Sequence, residues 1–216
     1  MEYSNNNFKL PIDNKILKEL FISYLKNAKG AGRTRVGNLK ELYYEITINN
    51  IHFPGQRPFY TRMNDIVNNI NGKERILDIG SNIGLIGLFL IYYHDVKHVT
   101  FIEHDKECCG IINKLAKLLK VQDKIKIVNK NFNNINFEKE IGNDYDLVIM
   151  LSSFKYFDNR EKAMNYFDNF KSILFEGDDK KYETYFEKLF IDKNFNVKKI
   201  NRINDERNRM LYLMSK

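Results

Sequence analysis

The sequence predicts an α/β fold: a doubly wound, mostly parallel seven-stranded sheet with an antiparallel C-terminal hairpin, plus a small N-terminal helical and lid segment. Three observations predict it. From residue 74 onward, short apolar runs alternate with helical stretches of ten or more residues, the order of a parallel sheet covered by helices on both faces. The first of these runs, "RILDIGSNIGLIGLFLI" (75–91), meets an acid, Asp78, and breaks into Gly80, Gly84 and Gly87 before apolar residues resume. The last two strand-like runs are separated only by "NDERN", too short for a crossover helix, so they should pair antiparallel at a sheet edge.

The N-terminal elements come first. Residues 14–28 repeat Ile16, Leu17, Leu20, Phe21, Tyr24 and Leu25 at helical spacing, with Gly30 as a stop. "GAGRTRVGN" (30–38) reads as a flexible basic loop, and "LYYEITINNIHF" (42–53) partly alternates, as a strand or hairpin does. "PGQRPF" is expected to be a turn, and 59–70 a short helix ending near Asn71-Gly72. The regular part then follows: strand 76–79, helix 84–93, strand 98–103, helix 106–120, strand 125–129, strand 145–151, helix 159–170, strand 172–176, helix 180–190, strand 195–202 and strand 209–214. We expect residues 1–58 to form the N-terminal helix and a lid or substrate segment, and 59–216 the ligand-binding domain.

Composition narrows the class. The 216 residues are 43% hydrophobic, enough for a core of one domain with an appended segment. No apolar run approaches the roughly 18 residues needed to span a bilayer, so no membrane role is expected. "MEYSNNNFKLPIDN" lacks a basic start followed by an apolar block, so a cytoplasmic protein is expected. The net charge of +7 favours anionic partners, although the lysines are interleaved with acids as on an ordinary solvated surface. The two cysteines, Cys108 and Cys109, are adjacent. They lack zinc-site spacing and are expected to be reduced apolar residues on a helix.

In a doubly wound sheet the ligand binds beyond the carboxyl ends of the strands, and the turn at 78–87 is the expected place. A triphosphate loop would need a lysine after its glycines, but none follows Gly80 until Lys97. A dinucleotide turn, G-x-G-x-x-G, fits poorly, because counting from Gly80 puts Asn82 and Leu85 where glycines belong. A carboxylate at Asp78 would also repel a pyrophosphate. It suits S-adenosylmethionine, which has a sulfonium and an ammonium and no phosphate. "LDIGSNIG" resembles the first motif of the class I S-adenosylmethionine-dependent methyltransferases, with Asn82 where many members have glycine.

That resemblance implies a cofactor site. A ribose-binding acid should end the second strand, and "HVTFIEHD" supplies Glu103, 19 residues after Gly84. Asp105 is better placed to cap the following helix. After the third strand, Asn131 is expected at the adenine edge and Phe132 against the ring face. Asp78, Gly80, Ser81, Asn82, Gly84, Glu103, His104, Asn131, Phe132 and Leu151 form the expected cofactor-binding set. S-adenosylmethionine is the expected cofactor, with S-adenosylhomocysteine as product. No metal is expected.

The segment "DLVIMLSSFKYF" lacks the Asn/Asp-Pro-Pro-Tyr/Phe run of amino-directed DNA and glutamine methyltransferases, and lacks the first carboxylate of metal-dependent catechol-type enzymes. Transfer to oxygen, or to a simple nitrogen, remains. Candidate bases are Glu176, His52, Lys155 and Tyr156. "FPGQRPFYTRMNDI" resembles a G-Q-R…R lead-in of some bacterial methyltransferases of small molecules and glycans, and a related one in a tRNA wobble-uridine branch. Its Arg57 and Arg62, with Arg33 and Arg35 on the glycine-hinged loop, are the expected clamp for an anionic acceptor. The expected function is O-methylation of a small hydroxylated or anionic metabolite: a sugar, a glycan precursor or a phosphorylated group. The alternatives are a tRNA or other RNA methyltransferase, and a non-catalytic binding protein with this fold.

Overall fold

The computed structural model describes residues 7–27, 35–36, 39–177, 183–200 and 210–216. The N-terminal part contains β1 (Asn7–Phe8), α1 (Asn14–Asn27), β2 (Arg35–Val36), β3 (Leu39–Lys40), β4 (Leu42–Ile48), β5 (Ile51–Phe53), β6 (Gly55–Pro58) and α2 (Phe59–Val67). The regular α/β part contains β7 (Arg75–Ile79), α3 (Leu85–Tyr93), β8 (His98–Glu103), α4 (Lys106–Leu119), β9 (Ile125–Asn129) and α5 (Phe137–Glu140). It continues with β10 (Leu147–Leu151), α6 (Arg160–Phe167), β11 (Ser172–Glu176), α7 (Glu183–Ile191), β12 (Asn196–Ile200) and β13 (Leu211–Ser215).

The main sheet has seven strands in the order β12-β13-β11-β10-β7-β8-β9. Strands β11, β10, β7, β8 and β9 run parallel. β13 is antiparallel to both β11 and β12, so the expected C-terminal pair forms, with β13 inserted beside β11. The sequence reads position by position onto this order. The central strands, "RILDI", "LVIML" and "SILFE", are buried almost throughout, as strands covered on both faces must be. The edge strands β9 and β12 put lysines on their exposed positions, which discourages pairing with another chain.

α3, "LIGLFLIYY", has no polar face and is buried from Leu85 to Ile91. A helix apolar all round needs cover on its outer side too, and the N-terminal part supplies it. β1, β4 and β5 form a small sheet, with β6 pairing parallel to β4. Phe8 and Phe59 pack edge-on against Phe89 of α3, with ring centroids 4.8 and 4.9 Å away. One apolar cluster runs from Phe8, Phe21 and Leu42 through Phe89 to Phe101 and Leu147. Residues 55–58, expected as a turn, form β6 because their backbone pairs with β4. Part of the expected basic loop forms a β2–β3 hairpin; residues 28–34 and 37–38, with Arg33 and most of the expected lid, lie outside the described residues. Among the described residues no helix is long and apolar enough to cross a membrane.

Candidate functional site

The carboxyl ends of β7, β8 and β10 open onto a cavity of about 220 Å³, roofed by β4 and β6. The turn after β7 shapes its floor. Gly80 has φ 75° and a Cβ there would lie 2.9 Å from that of Ser153, so a side chain is excluded by both conformation and space. Its N–H donates to Ile102 O at 2.9 Å, fastening the turn to β8. Gly80, Ser81 and Asn82 line the cavity. Gly84 does not: it caps α3 in the left-handed region and faces Ile112 of α4. Its glycine serves helix packing.

Asp78 sits on β7 with 4% of its surface exposed. Its Oδ2 is sealed from solvent and has no hydrogen-bond partner. Burial, and then the nearby charge of Glu103, push its pKa up from 3.8 to about 7. Ser81 Oγ, on the same wall, is also buried without a partner. Native interiors pair nearly all buried polar groups, so two such atoms on one cavity wall indicate a ligand-binding surface.

Glu103 ends β8, as expected. Its Oε2 accepts from the Asn82 N–H at 2.8 Å and its Oε1 from the Asp105 N–H at 2.9 Å, with His104 Nδ1 3.0 Å from Oε1. Oε2 keeps a further lone pair for a ligand hydroxyl. Asp105 instead caps α4, accepting from the Glu107 N–H at 2.8 Å. His104, Leu151 and Phe132 line the cavity, and Phe132 stacks on Phe157 at 4.3 Å between centroids. Asn131 does not line it; its side chain accepts from the Asn133 N–H at 3.0 Å, the local capping role of a turn asparagine.

The candidate bases and arginines separate sharply. Glu176, at the end of β11, is fully buried and absent from the cavity wall. Arg62 donates to its Oε2 and Ser152 Oγ to its Oε1, while Arg57 NH1 lies 3.6 Å from Oε1. Enclosed in this way, Glu176 stands outside the set of residues that line the cavity. Arg62, 4% exposed, also donates to Tyr44 Oη at 3.0 Å. It is an internal strut between α2, β4 and β11 and is not among the residues that line the cavity. Arg57 does line the cavity, with its guanidinium 5.0 Å above the Tyr43 ring. His52 points outward from β5, its ring 3.5 Å from Thr47 Oγ1, and is away from the site. Lys155 and Tyr156 line the cavity, with Lys155 Nζ 4.9 Å from the Tyr156 ring centre. Arg35 lies in β2.

Sequence reasoning missed Tyr43, Tyr44, Gln56, Ile86, Ser152 and Ser153, all on the cavity wall. Ser152 carries one detectable signal, a φ of 59°, but only the structure reveals it. Its N–H donates to Glu176 O at 3.1 Å, and the neighbouring Ser153 Oγ donates to Ile79 O at 3.0 Å. Together these bonds tie the turn after β10 to β7 and β11. A second cavity, about 510 Å³, lies beyond Phe132 among Phe137, Phe157 and Tyr166. None of the buried unpartnered polar atoms found among the described residues lines it. Among the described residues no group of three His, Cys, Asp or Glu could hold a metal ion.

No family model and no curated protein matches the sequence. Solved structures do match in fold. TrmK of M. capricolum, solved with S-adenosylhomocysteine, shares 17% identity with a TM-score of 0.60, over 72% of this chain and 67% of that one. EvdMO1 shares 10% with a TM-score of 0.65, over 94% of this chain, which spans about half (48%) of EvdMO1. The 16S rRNA methylase RmtB shares 15% with a TM-score of 0.52, over 70% of this chain and 59% of that one. The strand order, the antiparallel last strand and these likenesses agree: the chain has the Rossmann-like fold of the class I S-adenosylmethionine-dependent methyltransferases.

Proposed function

We propose that this chain is an S-adenosylmethionine-dependent methyltransferase that methylates oxygen on a small hydroxylated or anionic acceptor. The observation that carries the reading is the buried, unpartnered Oδ2 of Asp78 on the cavity wall. A carboxylate there is costly unless a cation meets it, and the same carboxylate opposes a pyrophosphate. When bound, S-adenosylmethionine supplies a methyl group already activated on a sulfonium. Asp78 would balance the cationic methionine part and Glu103 would accept from the ribose hydroxyls. Ser81 would offer its hydroxyl, and Phe132 and Leu151 an apolar wall for the base.

What remains for the protein is alignment of the acceptor and exclusion of water. Tyr43 of β4 and Gln56 and Arg57 of β6 line the cavity together with the glycine turn. Lys155 and Tyr156 are the retained candidates beside the acceptor; Glu176 instead fixes the wall.

Calorimetric titration tests this directly. S-adenosylhomocysteine should bind in the micromolar range while NAD gives no heat. Absence of S-adenosylhomocysteine binding at millimolar concentration would overturn the proposal, and NAD binding would restore the dinucleotide reading.

A further inference from the structure

We infer that the side of the cavity formed by Arg57 of β6 and the turn after β10 is an oxyanion subsite, where Arg57 holds a carboxylate or phosphate carried by a small methyl acceptor. The inference rests on the methyltransferase reading and adds the charge class of the acceptor.

The cavity is electrically two-ended. In the strand order β11-β10-β7-β8, the acids Asp78 and Glu103 stand on β7 and β8. Arg57 is held at the end of β11, by its approach to Glu176 at 3.6 Å. Neighbouring strands are about 4.8 Å apart, so about 14 Å of sheet edge separates the β8 and β11 ends. Glu176 contributes one negative charge, faced by both Arg62 and Arg57. Arg62 takes the hydrogen-bonded contact, which among the described residues leaves one positive charge in excess. That excess sits on Arg57, the member of the pair that lines the cavity. Lys155 lines the same cavity.

Arg57 is also held ready. Its side chain is only 12% exposed and its guanidinium lies over Tyr43, yet NH1 is buried with no hydrogen-bond partner. A guanidinium kept from water, whose NH1 meets Glu176 at ion-pair distance but without a hydrogen bond, is suited to an oxyanion, which it meets through charge-assisted bonds. The competing occupant is the cofactor's own carboxylate. It shares one carbon with the cofactor's ammonium, and Asp78, the partner for that ammonium, lies two strands from β11, about 10 Å along the sheet.

The test uses the full chain as wild type, Arg57→Met, which keeps the stem over Tyr43, and Arg57→Lys, which keeps the charge. Each is titrated first with S-adenosylhomocysteine and then, saturated with it, with inorganic phosphate and with acetate; thermal melts check folding. The expected result is unchanged S-adenosylhomocysteine affinity in all three. Phosphate or acetate affinity should fall about tenfold or more in Arg57→Met and be partly kept in Arg57→Lys. Anion binding equal in wild type and Arg57→Met, or absent from wild type saturated with S-adenosylhomocysteine, overturns the subsite. Weakened S-adenosylhomocysteine binding in Arg57→Met also overturns it, by assigning the guanidinium to the cofactor. A wild type that binds no S-adenosylhomocysteine refutes the methyltransferase reading itself, a distinguishable failure.

Discussion

Replacing Asp78 with asparagine removes one charge from a buried site at almost constant shape, and the structure gives the size of the effect. Raising the carboxyl from 3.8 to about 7 disfavours its ionised form in the folded chain by roughly 4 kcal/mol, at about 1.4 kcal/mol per pH unit. Below pH 4 the carboxyl is protonated folded and unfolded, and contributes nothing. Between pH 4 and pH 7 the unfolded chain loses the proton while the folded chain keeps it. Stability therefore falls as pH rises, and the full penalty is present above pH 7. Asparagine leaves a buried amide short of a partner, at about 1–3 kcal/mol. Asp78→Asn should thus stabilise the protein at pH 8 by roughly 1–3 kcal/mol, several degrees in Tm for a chain of this size. Near pH 4, where the ionisation penalty is gone, the gain should turn into a loss of about 1–3 kcal/mol. The same change should abolish binding of S-adenosylhomocysteine, whose ammonium needs the ionised carboxylate. In wild type, affinity should fall about tenfold from pH 8 to pH 6, following the ionised fraction. Thermal melts and titration calorimetry at both pH values measure all of this. Wild-type affinity that stays flat between pH 6 and pH 8, or an Asp78→Asn chain that binds as tightly as wild type, would refute the reasoning.

If Glu103 accepts from the ribose as proposed, Glu103→Gln should weaken S-adenosylhomocysteine and 5′-methylthioadenosine alike, by about tenfold or more; calorimetry with both ligands reads this. Arg62→Met strips Glu176 of its hydrogen-bonded cation and should cost about 3–5 kcal/mol, read by denaturant unfolding. Gly87→Ala puts a Cβ 2.4 Å from the Phe101 ring and should destabilise by about 1–3 kcal/mol in the same assay, since helix and strand must part. Burial pushes the thiols of Cys108 and Cys109 up to about 12 and 11. Neither should react with a disulfide reagent at pH 8 until the chain is unfolded, and a rapid native reaction would contradict their burial on α4.

By itself the sequence determined the parts whose causes are local. The alternation of apolar strands with helices, the glycine break after Asp78 and the acid ending β8 each follow from the identity and spacing of neighbours. They appear within a few residues of where the pattern puts them. Even the need for a cover over α3 is legible, since "LIGLFLIYY" offers water no polar side. The tertiary structure decided what depends on convergence. Arg57 and Arg62 look equivalent five residues apart, yet one faces the cavity while the other is spent on Glu176, 114 positions away in the chain. That two guanidiniums and the Ser152 hydroxyl enclose Glu176 is likewise visible only in the fold. Tyr43, Tyr44 and Gln56 became cavity wall only because β4 and β6 pair above the strand ends. Hydrophobic periodicity records which side of an element is buried. A side chain's charge state and partners are set by the groups that folding brings within a few ångströms, and chain distance carries no record of that approach.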